Sequence, residues 1–250
     1  MEQLLKGKVA VVTGGTRGIG YAIVKKYIEA GAITILCGSR EETAKKALSR
    51  IKAECPEAEV EAIWPNLSDR EAVSAAFAGI KEKCSSLDIL ANNAGISQNT
   101  PLFNYKDEDF EKILDLNIKA LYVCSRAAAE IMKEQGGGVI INTSSIVSFN
   151  GQGTGCGYPT SKFAVNGLTK SLSRELGCYR IRVNAVAPGV TRTDMVAALP
   201  DEMIQPIIKN IPLGRMAEPE DIANAFLFLA SDMASYISGA ILPVAGAVVI

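Results

Sequence analysis

Short apolar runs recur along the chain, and between them lie longer stretches in which apolar positions return every three or four residues. The runs Val9–Thr13, Thr34–Cys37, Glu59–Ile63, Ile89–Ala91, Val139–Thr143, Val183–Ala187 and Ile241–Val244 are rich in Val and Ile. They read as strands buried within a sheet. The helical period predicts helices over Gly18–Ala30, Glu42–Glu54, Asp69–Lys83, Asp109–Glu134, Tyr158–Leu176 and Glu220–Ala230. Gly31 is a good stop for the first. Ser68 is placed to cap the third, and Pro219 suits the first turn of the last.

Alternation of this kind predicts an α/β fold: a Rossmann-type, doubly wound parallel sheet of about seven strands with helices on both faces. Ligands then bind beyond the carboxyl ends of the strands. No linker, repeat or charge block divides the chain, so residues 1–250 are expected to form a single domain. The stretch 189–215, with Pro200, Pro206 and Pro212, breaks the rhythm. It is long for a connection, and reads as a substrate loop or lid or as an irregular surface excursion.

Composition narrows the function. Of 250 residues 48% are hydrophobic and 21% charged, and the net charge is −1. A near-neutral chain has no electrostatic footprint for nucleic acid or an anionic membrane. No apolar run reaches the roughly 18–20 residues of a membrane span, and the first residues do not resemble a signal peptide. A cytoplasmic protein is expected. The six cysteines (37, 55, 84, 124, 156 and 178) contain no C-x-x-C pair and read as reduced thiols. There is no histidine. That removes histidine bases, Ser-His-Asp triads and histidine-ligated metals, and leaves Tyr, Lys, Cys and carboxylates for proton transfer near neutral pH.

Two motifs use what remains. Thr13-Gly14-Gly15-Thr16-Arg17-Gly18-Ile19-Gly20 follows the first strand and opens the first helix. Glycines there let the backbone approach a pyrophosphate at the helix N-terminus, although a purely structural turn would have the same sequence. The second strand ends Cys37-Gly38-Ser39-Arg40, without the acid that usually bonds the ribose 2′-hydroxyl of NAD. Arg17 and Arg40, with Ser39, suit a 2′-phosphate, so NADP(H) is favoured over NAD(H). Glu41 and Glu42 leave the NAD alternative open. The second motif is Tyr158-Pro159-Thr160-Ser161-Lys162, which puts Tyr and Lys on one helix face. A free tyrosine has a pKa near 10, and a neighbouring cation would lower it. Ser145 stands thirteen residues earlier in the loop after a strand. Asn117 interrupts an apolar helix face, as a functional amide or as a helix-bending one.

Together these residues resemble the short-chain dehydrogenase/reductase family. The likeness covers Thr13–Gly20, Asn92-Asn93-Ala94-Gly95, Asn117, Ser144-Ser145, Tyr158–Lys162 and Arg182–Gly189, essentially the whole chain. It implies that Tyr158 gives or takes the hydroxyl proton and that Ser145 orients the substrate oxygen. Lys162 would lower the Tyr158 pKa and bond the nicotinamide ribose, and Asn117 would hold a water leading to solvent. Gly14, Thr16, Arg17, Gly18, Ile19 and Gly20 of the glycine turn are expected to bind the cofactor. Asn66 and Leu67 flank the adenine, with Asn92, Asn93, Ala94 and Gly95 along the adenosine. Pro188, Gly189, Val190 and Thr193 would seat the carboxamide. It implies no metal, a homotetramer and a small-molecule carbonyl or alcohol substrate. One departure is Val244-Ala245-Gly246-Ala247 in place of the family's Val-Asp-Gly-Gly.

The resemblance extends to bacterial 3-oxoacyl-carrier-protein reductases and to hydroxysteroid dehydrogenases. The first predicts a basic mouth for an acidic carrier, to which Arg192, Lys209 and Arg215 would contribute. The second predicts an apolar cleft, for which Met195, Val196, Leu199, Met203, Ile207 and Ile208 are candidates. A catalytically idle, nucleotide-binding regulatory relative is the alternative of a different class; the intact Asn117, Ser145, Tyr158 and Lys162 set speaks against it.

Overall fold

The structure, a computed structural model, describes residues 3–193, 205–206 and 208–248. Met195, Val196, Leu199, Met203 and Ile207 of the expected lid lie outside the described residues.

Seven strands form one sheet, β1 (Val9–Thr13), β2 (Ile33–Cys37), β3 (Val60–Ile63), β4 (Ile89–Asn92), β5 (Gly138–Thr143), β6 (Ile181–Pro188) and β7 (Ile241–Val244). Their order is β3-β2-β1-β4-β5-β6-β7, and every pairing is parallel. The order reverses between β1 and β4. The loops leaving their carboxyl ends diverge there and open a crevice.

Helices cover both faces. On one side α1 (Gly18–Glu29) packs against α8 (Pro219–Ala230), and the buried Tyr27 donates its hydroxyl to the Phe226 carbonyl at 3.4 Å. With α2 (Glu41–Glu54) they bury Ile23, Val24, Ile51 and Phe226 against Val12, Leu36 and Ile141. On the other side α3 (Arg70–Cys84), α5 (Leu121–Gln135) and, past the one-turn α6 (Val147–Asn150), the long α7 (Gly157–Leu176) cover Val11, Ile35, Leu90, Ile140 and Val183. In β1 Val9 and Val11 enter one core and Ala10 and Val12 the other, which is why that strand is apolar throughout.

Two details differ from expectation. Asp69, not Ser68, caps α3: its carboxylate accepts from the Glu71 and Ala72 N–H groups. Ser68 instead donates to Asp115 at 2.6 Å, holding the Asn66–Ser68 turn to the next layer. The helix expected over Asp109–Glu134 is α4 (Asp107–Leu114), a π-helical segment (Asp115–Ala120) and α5 in continuous succession. The wider turn carries Asn117, and such segments are concentrated at functional sites.

The departure at the carboxyl end is conformational. β7 pairs with β6 through Pro188 and Val244, and Gly189 N–H donates to Val244, so the strand is intact without the acid. Ala245 fills the space beside Gly189, where a Cβ would lie 2.8 Å from the Ala245 Cα. Ala247, however, has φ 65°, in the left-handed region, where the family pattern has glycine. Its side chain is exposed, so little packing is lost on trimming it. Ala247→Gly is therefore expected to stabilise the fold by about 0.5–1 kcal/mol, read as a higher urea midpoint at unchanged m.

Candidate active site

A cleft of about 620 Å³ runs across the carboxyl ends of β1, β2, β3 and β4. It gathers Gly14, Thr16, Arg17, Gly18, Ile19, Gly20, Ser39, Asn66, Leu67, Asn93, Ala94, Gly95 and Thr193 from the expected cofactor set. Trp64, Pro65, Ile96 and Leu116 also line it and were not anticipated. Trp64 is the chain's one tryptophan and stands just past β3; its place at a strand's carboxyl end is the signal that would have found it.

The glycine turn is tight for a stated reason. Gly14 has φ 66°, and a Cβ there would come within 3.0 Å of the Ala94 Cα; one at Gly20 would collide with the Gly14 carbonyl. Asn93 braces the turn, donating to the carbonyls of Thr13 and Gly14 at 3.2 and 3.3 Å. Thr13 Oγ1 accepts from the N–H groups of Asn93 and Ala94. Asn92 differs from expectation. Its side chain is buried and donates to Ser125 and Asn142, inside the fold rather than along the cleft.

The residues present fit a dinucleotide. The first turn of α1 faces the cleft with no side-chain cap and no acid, so its N–H dipoles suit a pyrophosphate. Gly95 leaves room where a Cβ would lie 3.1 Å from Asn117 Oδ1 and 3.8 Å from Lys162 Nζ. Arg17 and Ser39 line the cleft, and Arg40, exposed, holds the N-cap position of α2 without a side-chain cap bond. Pro188, Gly189 and Val190 do not line this cleft. Pro188 accepts from Ile146 N–H across the sheet's end, and Val190 packs on Ile211 and Met216.

Next to this cleft, Asn117, Ser145, Tyr158 and Lys162 converge from three elements. Tyr158 and Lys162 lie on α7, with Lys162 Nζ 5.6 Å from the Tyr158 ring centroid. Ser145 follows β5 and hydrogen-bonds Tyr158. Asn117 donates to the Ile96 carbonyl and to Ser161 Oγ, both at 2.9 Å, and accepts from Ile96 N–H. Ser161 in turn donates to the Tyr158 carbonyl at 2.7 Å. The amide thereby ties the π segment to the catalytic turn of α7.

The electrostatics revise one expectation. Burial raises the Tyr158 pKa above 10, and the hydrogen bond with Ser145 is what opposes that rise. Lys162 is buried and donates to the Thr143 carbonyl at 2.7 Å, and its own pKa falls to about 8 by desolvation. The bond with Ser145 draws the phenol down, while the Lys162 ammonium is aimed at a backbone carbonyl.

Comparison with known proteins agrees with this geometry. The family model described as enoyl-(acyl carrier protein) reductase matches residues 14–247. The chain is 64% identical over 247 residues to a 3alpha-hydroxysteroid dehydrogenase of Mediterraneibacter gnavus, covering 99% of each. It is 40% identical over 246 residues to the 3-oxoacyl-[acyl-carrier-protein] reductase FabG of Aquifex aeolicus, covering 98% of this chain and 99% of that one. Among solved structures, a 7 alpha-hydroxysteroid dehydrogenase complexed with NADH and 7-oxo glycochenodeoxycholic acid superposes with a TM-score of 0.92. The two are 32% identical, over 99% of this chain and 96% of that one.

Proposed function

The chain belongs to the short-chain dehydrogenase/reductase family, oxidoreductases that act on CH–OH groups with a nicotinamide cofactor, and on that premise we propose that it is an NADP(H)-dependent hydroxysteroid dehydrogenase acting at the 3α position. The observation that carries this reading is 64% identity, end to end, to a 3alpha-hydroxysteroid dehydrogenase. A second observation weighs against an acidic acyl carrier as partner. Arg192 pairs with Glu218 at 3.0 Å and Arg215 with Asp221 at 2.6 Å, so two of the three candidate basic residues are neutralised within the chain.

When bound, the nicotinamide supplies or accepts the hydride; the residues supply position and proton. The Ser145 hydroxyl orients the substrate oxygen. Tyr158 Oη delivers the proton on reduction and takes it on oxidation. Lys162 lies under that pair and Asn117 fixes the turn that carries Tyr158. Residues 189–215 act as the lid, and the catalytic unit is the whole single domain. Tyr122 and Phe163, 43% and 49% exposed on α5 and α7, suit the subunit contacts of a homotetramer.

The 3α assignment predicts oxidation of a 3α-hydroxysteroid at least about tenfold faster, as kcat/KM with NADP, than its 3β epimer. Equal rates, or preference for 3β, would overturn it. The NADP preference rests on the missing acid at Cys37–Ser39 and on Arg17 and Arg40. Arg40→Asp is expected to cut kcat/KM for NADPH by about 10–100-fold while NADH changes little. Retained NADPH preference would mean that Arg40 does not hold the 2′-phosphate.

A further inference from the structure

Beneath Ser145 lies a polar cluster that takes no part in the chemistry above. Ser144 and Ser148 are buried at 1% and 2% exposure, on either side of Ser145 in the chain. Asn166 reaches them from α7, four residues past Lys162 and on the same helix face. The hydroxyl of Ser144 donates to Asn166 Oδ1 at 2.6 Å. Asn166 Nδ2 donates to Ser148 Oγ at 2.8 Å. Ser148 Oγ donates to the Ser145 carbonyl at 2.6 Å. Three donors thus run in one direction and end on the backbone of Ser145.

Asn166 is the α7 side chain in this chain of bonds. Its amide grips the residue before Ser145 with one atom and the residue three after it with the other. Backbone pairing holds the loop only from the far side, where Ser144 N–H donates to Val186 and Ile146 N–H to Pro188. Without Asn166 the Ser145 loop would keep its contact with β6, the Lys162 bond to Thr143 and the Ser145 bond to Tyr158, and would lose the amide bridge that joins Ser144 and Ser148 to α7. An apolar residue there would leave Ser144 a buried hydroxyl with only a 3.5 Å contact to the Lys162 carbonyl and a 3.1 Å contact to Ser148.

We propose that Asn166 is a positioning residue for Ser145, setting the distance between the Ser145 hydroxyl and Tyr158 through the Ser144 and Ser148 hydroxyls. The inference rests on Ser145 acting at the substrate oxygen, as proposed above. A misplacement of about 1 Å at a reacting group is enough to cost an order of magnitude or more in rate.

The test is a double-mutant cycle on kcat, read with NADPH and whichever of 3-oxolithocholate, acetoacetyl-CoA and simple ketones the wild type reduces fastest. Asn166→Leu, close in volume, and Ser148→Ala are each expected to lower kcat about tenfold, with KM and the NADPH dissociation constant within about twofold of wild type. In a Ser145→Ala background, Asn166→Leu should have no further effect on kcat, because the residue through which it acts is gone. Asn166→Ala serves as a second variant should the leucine not be accommodated. Wild-type kcat in the Asn166 variants would overturn the proposal. So would a tenfold loss that persists without the Ser145 hydroxyl, since Asn166 would then act on α7 as a whole. A wild type that reduces no carbonyl would instead overturn the functional reading itself.

Discussion

Tyr158→Phe is expected to lower kcat by about 10³-fold or more, with NADPH binding within about twofold of wild type. The substitution removes one oxygen and leaves the ring, so α7 and the cleft keep their shape. The lost oxygen is the one bonded by Ser145, and among the described residues no histidine or carboxylate stands beside it as a substitute. The pH dependence follows from the same bond. Oxidation needs the phenolate, and burial holds the Tyr158 pKa above 10 while Ser145 opposes that rise. Oxidative kcat/KM should therefore climb with pH through the neutral and mildly alkaline range, and reduction should fall. A Tyr158→Phe variant within tenfold of the wild-type rate would remove Tyr158 from the mechanism.

Lys162→Met is the second large effect, and its two readouts move in different directions. Turnover is expected to fall by about 10²-fold or more, because the buried ammonium 5.6 Å from the Tyr158 ring centroid, beside the proton donor, is lost. Stability at pH 7 is expected to hold or rise. The reason is the sign of the linkage. Burial lowers the Lys162 pKa from its ordinary 10.5 to about 8, so below about pH 8 the folded chain must carry a buried charge. That charge costs about 3 kcal/mol at pH 7, from 1.36 kcal/mol per pKa unit. Between about pH 8 and 10.5 the unfolded chain binds the proton and the folded chain does not, so in that window the wild type gains stability as pH rises. The methionine variant should lack this gain. The check is urea unfolding of both proteins at pH 7 and at pH 9.5; a variant much less stable at pH 7 would mean that the Thr143 hydrogen bond outweighs desolvation.

Much of this molecule is legible in the chain. A parallel strand buried on both faces is apolar without alternation, so the run Val9–Thr13 declares itself, and it and the edge run Ile241–Val244 match the observed strands residue for residue. The glycine turn and the Tyr158–Lys162 spacing are local, and local geometry survives folding. What was not legible depends on contacts distant in sequence. A π turn differs from an α turn by one residue and leaves no period of its own, so Asp115–Ala120 reads as continuous helix. Its anchor is Asn117 bonding Ile96 and Ser161, which no spacing reveals. Ser68 and Asp69 are both good caps, and the choice falls to Asp69 because Ser68 is recruited by Asp115. The burial of Lys162, and with it the fall in its pKa, is set by the sheet above it rather than by its neighbours in α7. Asn166 looks like any half-exposed polar residue on a helix until the Ser145 loop is laid against it.

The most direct measurement is the absorbance of NADPH at 340 nm on addition of 3-oxolithocholate, run beside acetoacetyl-CoA at matched concentrations. We expect consumption with the steroid, stoichiometric with a 3α-hydroxy product, at a kcat/KM at least about tenfold above that for the thioester. Reduction of the thioester with the steroid untouched would contradict the account.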